Sequence, residues 1–433
     1  MVALNPLDPA LNFNAFIEGD TVLTEHEMEG PLATGGDLTI RGTYEIDIQD
    51  NATFFDGDDE RPSSLVVGGR IDWDDSTPDG TVPVLGNGYV KVGDLTGTDV
   101  LDTDANGASQ PTRLVPAGAS YDSPLHVRTV VQPSQPIDTV NSSPIDFGAA
   151  FSQMRSYSAD LAACANTVTM FDAREGGSPI AKGEVAPGQQ VFITLTEGRT
   201  NVLNVTGEDL NNMADLTFVN KPTADTPLLI NVDTSDTGGV FDWTVPNQAG
   251  VGGVDAPYIL WNFNDTTELT LLPGGATVEG SIYAPDADFT DLSISNVEGQ
   301  IVAANAVLGT TSQDSGELHY YPFDATLTCE SDVDPSPSAT TDVPTTDVPT
   351  TDVPTTDVPT TDVPTSDAPT SGDATTEAPS SEAPTHDAPV HPDKPGTMPT
   401  TGSTLVPFGI AAAVLLAAGT AALLLSRRRS RLQ

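Results

Sequence analysis

Hydrophobic positions in the first 329 residues come in short runs cut off by Gly, Asp, Asn and Pro. Residues 37–41, 64–67, 191–196, 227–232 and 268–272 show the pattern, and such punctuation predicts short β-strands joined by turns. Beneath the strands lies a repeat. Gly280-Ser281-Ile282-Tyr283-Ala284-Pro285-Asp286-Ala287 is echoed 19 residues on by Gly299-Gln300-Ile301-Val302-Ala303-Ala304-Asn305-Ala306, and Gly69-Arg70-Ile71 is echoed at the same offset by Gly88-Tyr89-Val90. A β-solenoid coil takes about this many residues, because it supplies a few short strands and the glycine-marked turns between them. The expected fold is mainly β, a β-solenoid (β-helix) whose stacked coils bury alternate apolar side chains in a narrow core. A β-sandwich is the competing arrangement.

One stretch changes period. Phe147, Phe151, Met154, Leu161 and Cys164 recur at helical spacing, after Ser143 as N-cap, Pro144 at the first helical position and Asp146 three residues past the cap. This predicts one flanking α-helix of about 20 residues, with its apolar face turned to the core and not to a ligand.

Beyond residue 329 both periods stop. Thr-Thr-Asp-Val-Pro recurs every five residues to Pro364 and loosens into related variants up to Pro389. Proline at that spacing forbids a regular helix, and too little apolar surface remains to offset the entropy of ordering. Residues 330–397 are therefore expected to form a disordered stalk, spanning at most about 200 Å at about 3.1 Å per residue. Its threonines offer sites for O-linked sugars.

Residues 398–433 differ again. Met398-Pro399-Thr400-Thr401-Gly402 is followed by an uncharged stretch, residues 405–425, and then by Arg427, Arg428, Arg429 and Arg431. At about 1.5 Å per helical residue the stretch matches a hydrocarbon core of roughly 30 Å, which predicts one transmembrane helix. The arginines place the tail in the cytoplasm and everything upstream outside. Export then needs a signal peptide, yet Met1–Phe16 shows neither a basic n-region nor an apolar h-region. The leader is expected upstream of Met1 or already removed.

The order of motif, apolar stretch and basic tail resembles the cell-wall sorting signal of Gram-positive surface proteins, LPxTG, with Met398 in place of Leu. The resemblance implies that a sortase cuts between Thr401 and Gly402 and joins the Thr401 carbonyl to peptidoglycan, so that the membrane holds only the precursor. Pro399 suits such recognition, since it fixes its own φ and biases Met398 to an extended conformation. The exchange at Met398 leaves the sortase class open. Further upstream, Phe13-Asn14-Ala15-Phe16, Glu29-Gly30-Pro31-Leu32-Ala33, Leu260-Trp261-Asn262-Phe263, Gly280-Ser281-Ile282-Tyr283-Ala284-Pro285 and Gly316-Glu317-Leu318-His319-Tyr320-Tyr321-Pro322-Phe323 together resemble the choice-of-anchor A domain of exported bacterial proteins. That resemblance implies a β-helical, adhesin-like domain in the style of ice-binding folds over residues 1–329. It supplies no established ligand or catalytic residues.

Composition narrows the partners. The chain carries 16 Lys plus Arg against 62 Asp plus Glu, a surface that repels nucleic acid and can attract divalent cations. Asp102, Asp104 and Asn106, with Gly107, copy the opening of a Ca²⁺ loop, although Arg113 stands where a bidentate Glu should close it. Residues 55–60 and 72–75 are acidic turns of the same ambiguous kind. Cys164 and Cys329 lie on the exported side, where a disulfide can form. Closing a loop of that length would contribute on the order of 4 to 5 kcal/mol by chain entropy. Two separate thiols, with Cys164 a small buried side chain, is the alternative.

No catalytic signature is present, neither GxSxG, HExxH, CxxC nor a phosphate loop, and His26, His126 and His319 are far apart. His319, beside Tyr320 and Tyr321, reads as a packing residue. The leading expectation is a non-enzymatic, wall-anchored adhesin that displays its domain on a stalk to a surface, matrix or glycan ligand. A surface polysaccharide hydrolase or lyase and a passive wall-layer component are the alternatives, the first needing a carboxylate pair that the sequence cannot single out.

Overall fold

The computed structural model describes residues 3–310 and 316–328. The stalk, the sorting motif Met398–Gly402, the expected span at 405–425 and Cys329 lie outside the described residues. The domain is mainly β, and its longest sheet is a parallel ladder of nine strands. From one edge to the other these are Asn201–Thr206, Leu228–Asp233, Ile259–Asn262, Ser281–Asp291, Ile301–Leu308, Ala15–Ile17, Leu32–Thr34, Ser63–Val67 and Tyr89–Val92. Other parallel ladders run beside it. One carries Val240–Trp243, Glu268–Leu271, Thr21–Leu23 and Leu38–Ile40, and another carries Val278–Glu279, Val297–Glu298 and Leu318–His319. Apolar side chains from these faces, among them Ile17, Leu32, Trp243, Trp261 and Ile282, meet in one buried core. The stacking is β-helix-like.

The stack does not follow chain order. Ala15–Ile17 lies between Ile301–Leu308 and Leu32–Thr34, so the first coil packs against the last. The two edges of the long sheet are mid-chain strands, and both are covered. The Gln135 side chain accepts from Val90 N at 2.9 Å and donates to Val90 O at 2.8 Å, while Thr167 and Val168 donate to Val202 O at the other edge. An edge whose N–H and C=O groups are taken cannot recruit a foreign strand.

The 19-residue echo at residues 280 and 299 is a coil repeat as far as Ala284, since Ile282, Tyr283 and Ala284 pair with Ile301, Val302 and Ala303; a bulge then shifts the register, so that Asp288 and Phe289, not Asp286 and Ala287, pair with Asn305 and Ala306. Its leading glycines are needed for backbone approach: a Cβ on Gly299 would come within 2.6 Å of Gly280 O. The echo at residues 69 and 88 is not a repeat. Ile71 bridges to Leu38 and Val90 pairs with Leu65, because the coils here carry insertions of unequal length.

The flanking helix α1 spans Phe147–Ala162, 16 residues. Its N-cap is Asp146, whose carboxylate accepts from Ala149 N at 2.9 Å, rather than Ser143. Phe147, Phe151, Met154 and Leu161 pack on an outer apolar layer of the long sheet with Phe16, Leu229, Leu260, Tyr283 and Val302. A second helix, α2, runs from Gly207 to Asn212 behind a capping box made by Thr206 and Asp209. Among the described residues no helix is long and apolar enough to cross a membrane.

Candidate functional site

Where α1 ends, three strands place an asparagine at the same level. Asn204, Asn231 and Asn262 each follow two apolar residues and precede a third. Asn262 Nδ2 donates to Asn231 Oδ1 at 2.9 Å, and Asn231 Nδ2 donates to Asn204 Oδ1 at 3.0 Å. The same amides donate to Ser158 O, Leu161 O and Cys164 O. The row thereby ties the end of α1 and the residue after its C-cap to three strands of the long sheet, with Leu161 O also accepting from Cys164 N at 3.1 Å. Replacing Asn231 with leucine should therefore cost about 1–3 kcal/mol, the price of stranding buried polar groups, read as a lower midpoint in urea unfolding.

Beside this row opens a polar cavity of about 230 Å³ lined by Lys182, Asn204, Asn231, Asp233, Asn262, Asn264 and Asp265, with Ala162 and Val232. A second of about 270 Å³ shares Lys182 and Asn204. Lys182 Nζ donates to Asp233 Oδ2 at 2.7 Å. That bond, helped by the Ser235 hydroxyl, holds the Asp233 carboxyl down to about 2. The groove offers paired donors and acceptors without an aromatic platform, which suits a small polar ligand.

A different face presents a strip with one residue from each strand. Thr39, Val22, Val307, Thr290 and Thr270 stand in register across five strands, each partly exposed. Beside them a row of polar side chains locks the turns: Asn305 Nδ2 donates to Asp288 Oδ1 at 2.7 Å, and Asp20 Oδ1 accepts from Asp37 N at 2.8 Å. Arg155 of α1 fastens the helix at this corner. It donates to Asp286 Oδ1 at 2.6 Å and to Glu18 Oε1 at 2.9 Å.

A third face stacks Glu279, Glu298 and His319 on neighbouring strands. His319 bonds Glu298 through Nδ1 at 3.0 Å and Glu317 through Nε2 at 2.9 Å. Burial alone would lower its pKa, but those carboxylates outweigh it and the pKa rises. Glu279 is pushed up to about 7, first by burial and then by Glu298 and Asp255. His319 is thus a hydrogen-bonded ion-pair residue and not merely a packing one.

The calcium-like stretch has a local task. Asp102 lies at the end of a strand, and Asp104 opens the turn of an antiparallel hairpin, where its Oδ1 accepts from Asn106 N at 2.8 Å and Ala108 N at 3.0 Å. The Ala108 and Asn106 amides hold the Asp104 carboxyl below its ordinary range. Among the described residues no group of three or more His, Cys, Asp or Glu side chains is placed to hold a metal ion. Cys164 is disulfide-bonded. The asparagine row, Arg155 and the buried Lys91 escaped the sequence reading. Only the first left a signal there, in Val-Leu-Asn-Val, Leu-Ile-Asn-Val and Leu-Trp-Asn-Phe.

Against known families, the one described as "Putative Ice-binding-like adhesive domain" matches residues 6–320. The chain belongs to that family. Behind the adhesive domain, an LPXTG cell wall anchor motif matches residues 391–430, so this ice-binding-like adhesive protein is a Gram-positive cell-wall-anchored surface protein. The motif implies sortase processing and covalent attachment to peptidoglycan. Among solved structures the chain is similar to a glycosylated ice-binding protein from an Arctic yeast, at 11% identity over 73% of this chain and 92% of that one, with a TM-score of 0.27. It is also similar to an ice-binding protein from an Antarctic bacterium of the Flavobacteriaceae, at 12% identity over 74% and 67%, with a TM-score of 0.22. No curated protein matches it.

Proposed function

We propose that the protein is an adhesin whose β-solenoid domain, residues 1–329, is held off the wall by the stalk at 330–397 after a sortase cuts between Thr401 and Gly402. The observation that carries this reading is an adhesive-family domain at residues 6–320 and an anchor motif at residues 391–430 of the same chain. The Thr/Val strip is the contact surface: it is partly apolar, and its β-branched side chains stand in register on paired strands, so little side-chain entropy is lost on binding. Its ligand belongs to a surface, matrix or glycan. Cys329 is the proposed partner of Cys164, joining the end of the domain to the end of α1. The test is an array of glycans and matrix proteins probed with the purified chain, with Ca²⁺ and with chelator. Thr290→Lys, which sets a charge in the middle of the strip, is expected to weaken binding by about tenfold or more. Unchanged binding would remove the strip from the proposal, and loss in chelator would bring Asp102, Asp104 and Asn106 back as calcium ligands.

One observation favours the enzymatic alternative. Glu279, half-neutral near pH 7, stacks beside Glu298, the pairing of proton donor and carboxylate that glycan hydrolysis uses. Turnover of acidic polysaccharides by the chain, abolished in Glu279→Gln, would support it, and no turnover would dismiss it.

A further inference from the structure

Lys91 stands where neighbouring strands place apolar side chains. The row Tyr283, Val302, Phe16, Ala33 and Val66 runs in register across the long sheet and ends on Lys91. Its side chain is 1% exposed. The amine touches Asp59 Oδ2, lies 3.3 Å from Asp56 Oδ2 and donates to Thr139 O at 2.7 Å. Both carboxylates come from the acidic turn at residues 55–60, folded over the edge strand Tyr89–Val92. Asp59 Oδ2 is enclosed and accepts no hydrogen bond of ordinary geometry, so its close neighbour is the amine itself. Asp56 Oδ2 also accepts from the Ser142 hydroxyl at 2.6 Å.

An ion pair is a poor fastener at such a place, because removing both charges from water offsets most of their attraction. The same groups have what an amide-forming site needs: an amine, a carboxyl group in contact with it, a second carboxylate to move protons, and little water around the first two, whose side chains are 1% and 11% exposed against 25% for Asp56. We propose that Lys91 and Asp59 become joined by an intramolecular isopeptide bond. The step starts from the neutral pair, amine and carboxylic acid. Lys91 Nζ attacks Asp59 Cγ. Asp56 takes a proton from the nitrogen and delivers it to the departing hydroxyl. A C–N bond replaces a C–O bond, one water molecule leaves, and no oxidant, reductant or cofactor is consumed. The product ties the turn at 55–60 to the edge of the long sheet.

The test is mass spectrometry of the purified full chain after reduction of its disulfide. The expected mass is lower than that of the sequence by one water, and a digest should yield a branched peptide joining the Lys91 and Asp59 segments. Lys91→Arg, Asp59→Ala and Asp56→Ala should each restore the missing water, with circular dichroism unchanged in the last. A wild-type chain of full sequence mass, with the two peptides separate, would overturn the proposal and leave an ion pair. A folded Asp56→Ala chain that still lacks the water would overturn the proton-relay role. If the variants fail to fold, the wild-type digest decides alone.

Discussion

Phe16→Ala is expected to destabilise the domain by about 3–5 kcal/mol, the range for truncating a buried aromatic. The ring is fully buried, sits 5.2 Å from Phe147 and 5.6 Å from Phe151 between ring centroids, and is nearly parallel to the second. Those are the first two inward residues of α1, so the cavity would open where the helix begins. The transfer free energy of the ring and the stacking are both lost. Helix and sheet should uncouple, so far-UV helical signal should fall at lower urea than the main transition. Phe16→Leu keeps most of the volume and should cost much less. A single unshifted transition in Phe16→Ala would show that Arg155 and the asparagine row hold α1 without it.

Acidification should stabilise the domain, with Tm higher near pH 5 than near pH 8 by roughly 5–10 °C. Burial raises Asp291 to about 7 against the opposing hydrogen bond from Ser293 N. Burial likewise raises Asp47 to about 6 despite the Ser64 and Asn51 hydrogen bonds, and Glu279 rises to about 7. A carboxyl whose folded pKa exceeds its unfolded one contributes stability that is complete below the unfolded value, near 4, and is lost as pH climbs through the folded value. His319, also raised, acts in the same direction, its share present below about 6.5 and lost above its folded pKa. Asp47 and Asp291 together favour the acid side by on the order of 7 kcal/mol over the full range, at about 1.4 kcal/mol per tenfold change in proton affinity. Asp233, lowered to about 2, has the opposite sign: its stability holds above its unfolded value and is lost as pH falls toward 2. The optimum should therefore lie near pH 4–5. Thermal scans across that range check it, and a Tm that rises from pH 5 to pH 8 would contradict it.

What could be read from the chain followed how local each interaction is. The echo at residues 280 and 299 was legible because the neighbouring strands keep one offset from Ile282 to Ala284, whereas insertions around residues 47–62 and 72–80 made the match at 69 and 88 a coincidence. α1 announced itself through Phe147, Phe151, Met154 and Leu161, yet both Ser143 and Asp146 are good caps. Tertiary packing of Phe147 on Phe16 selected the second. α2 is too short to show a period, although Thr206 and Asp209 had the spacing of a capping box. The burial of Lys91 was beyond reach. A lysine on a strand is ordinarily solvated, and only the turn at 55–60 and the bridge from Thr139 enclose it.

The placement of Ala15–Ile17 between Leu32–Thr34 and Ile301–Leu308 bears on how the domain comes into being. Synthesis delivers Phe16 early, but the strand on one of its sides is nearly three hundred residues away and arrives among the last. The contacts at the heart of the sheet are therefore the most remote in sequence, and loop-closure entropy makes such contacts late and slow to form. A polypeptide still threading outward through a secretion channel lacks that keystone, so the fold suits a cargo that must remain extended until almost all of it has crossed.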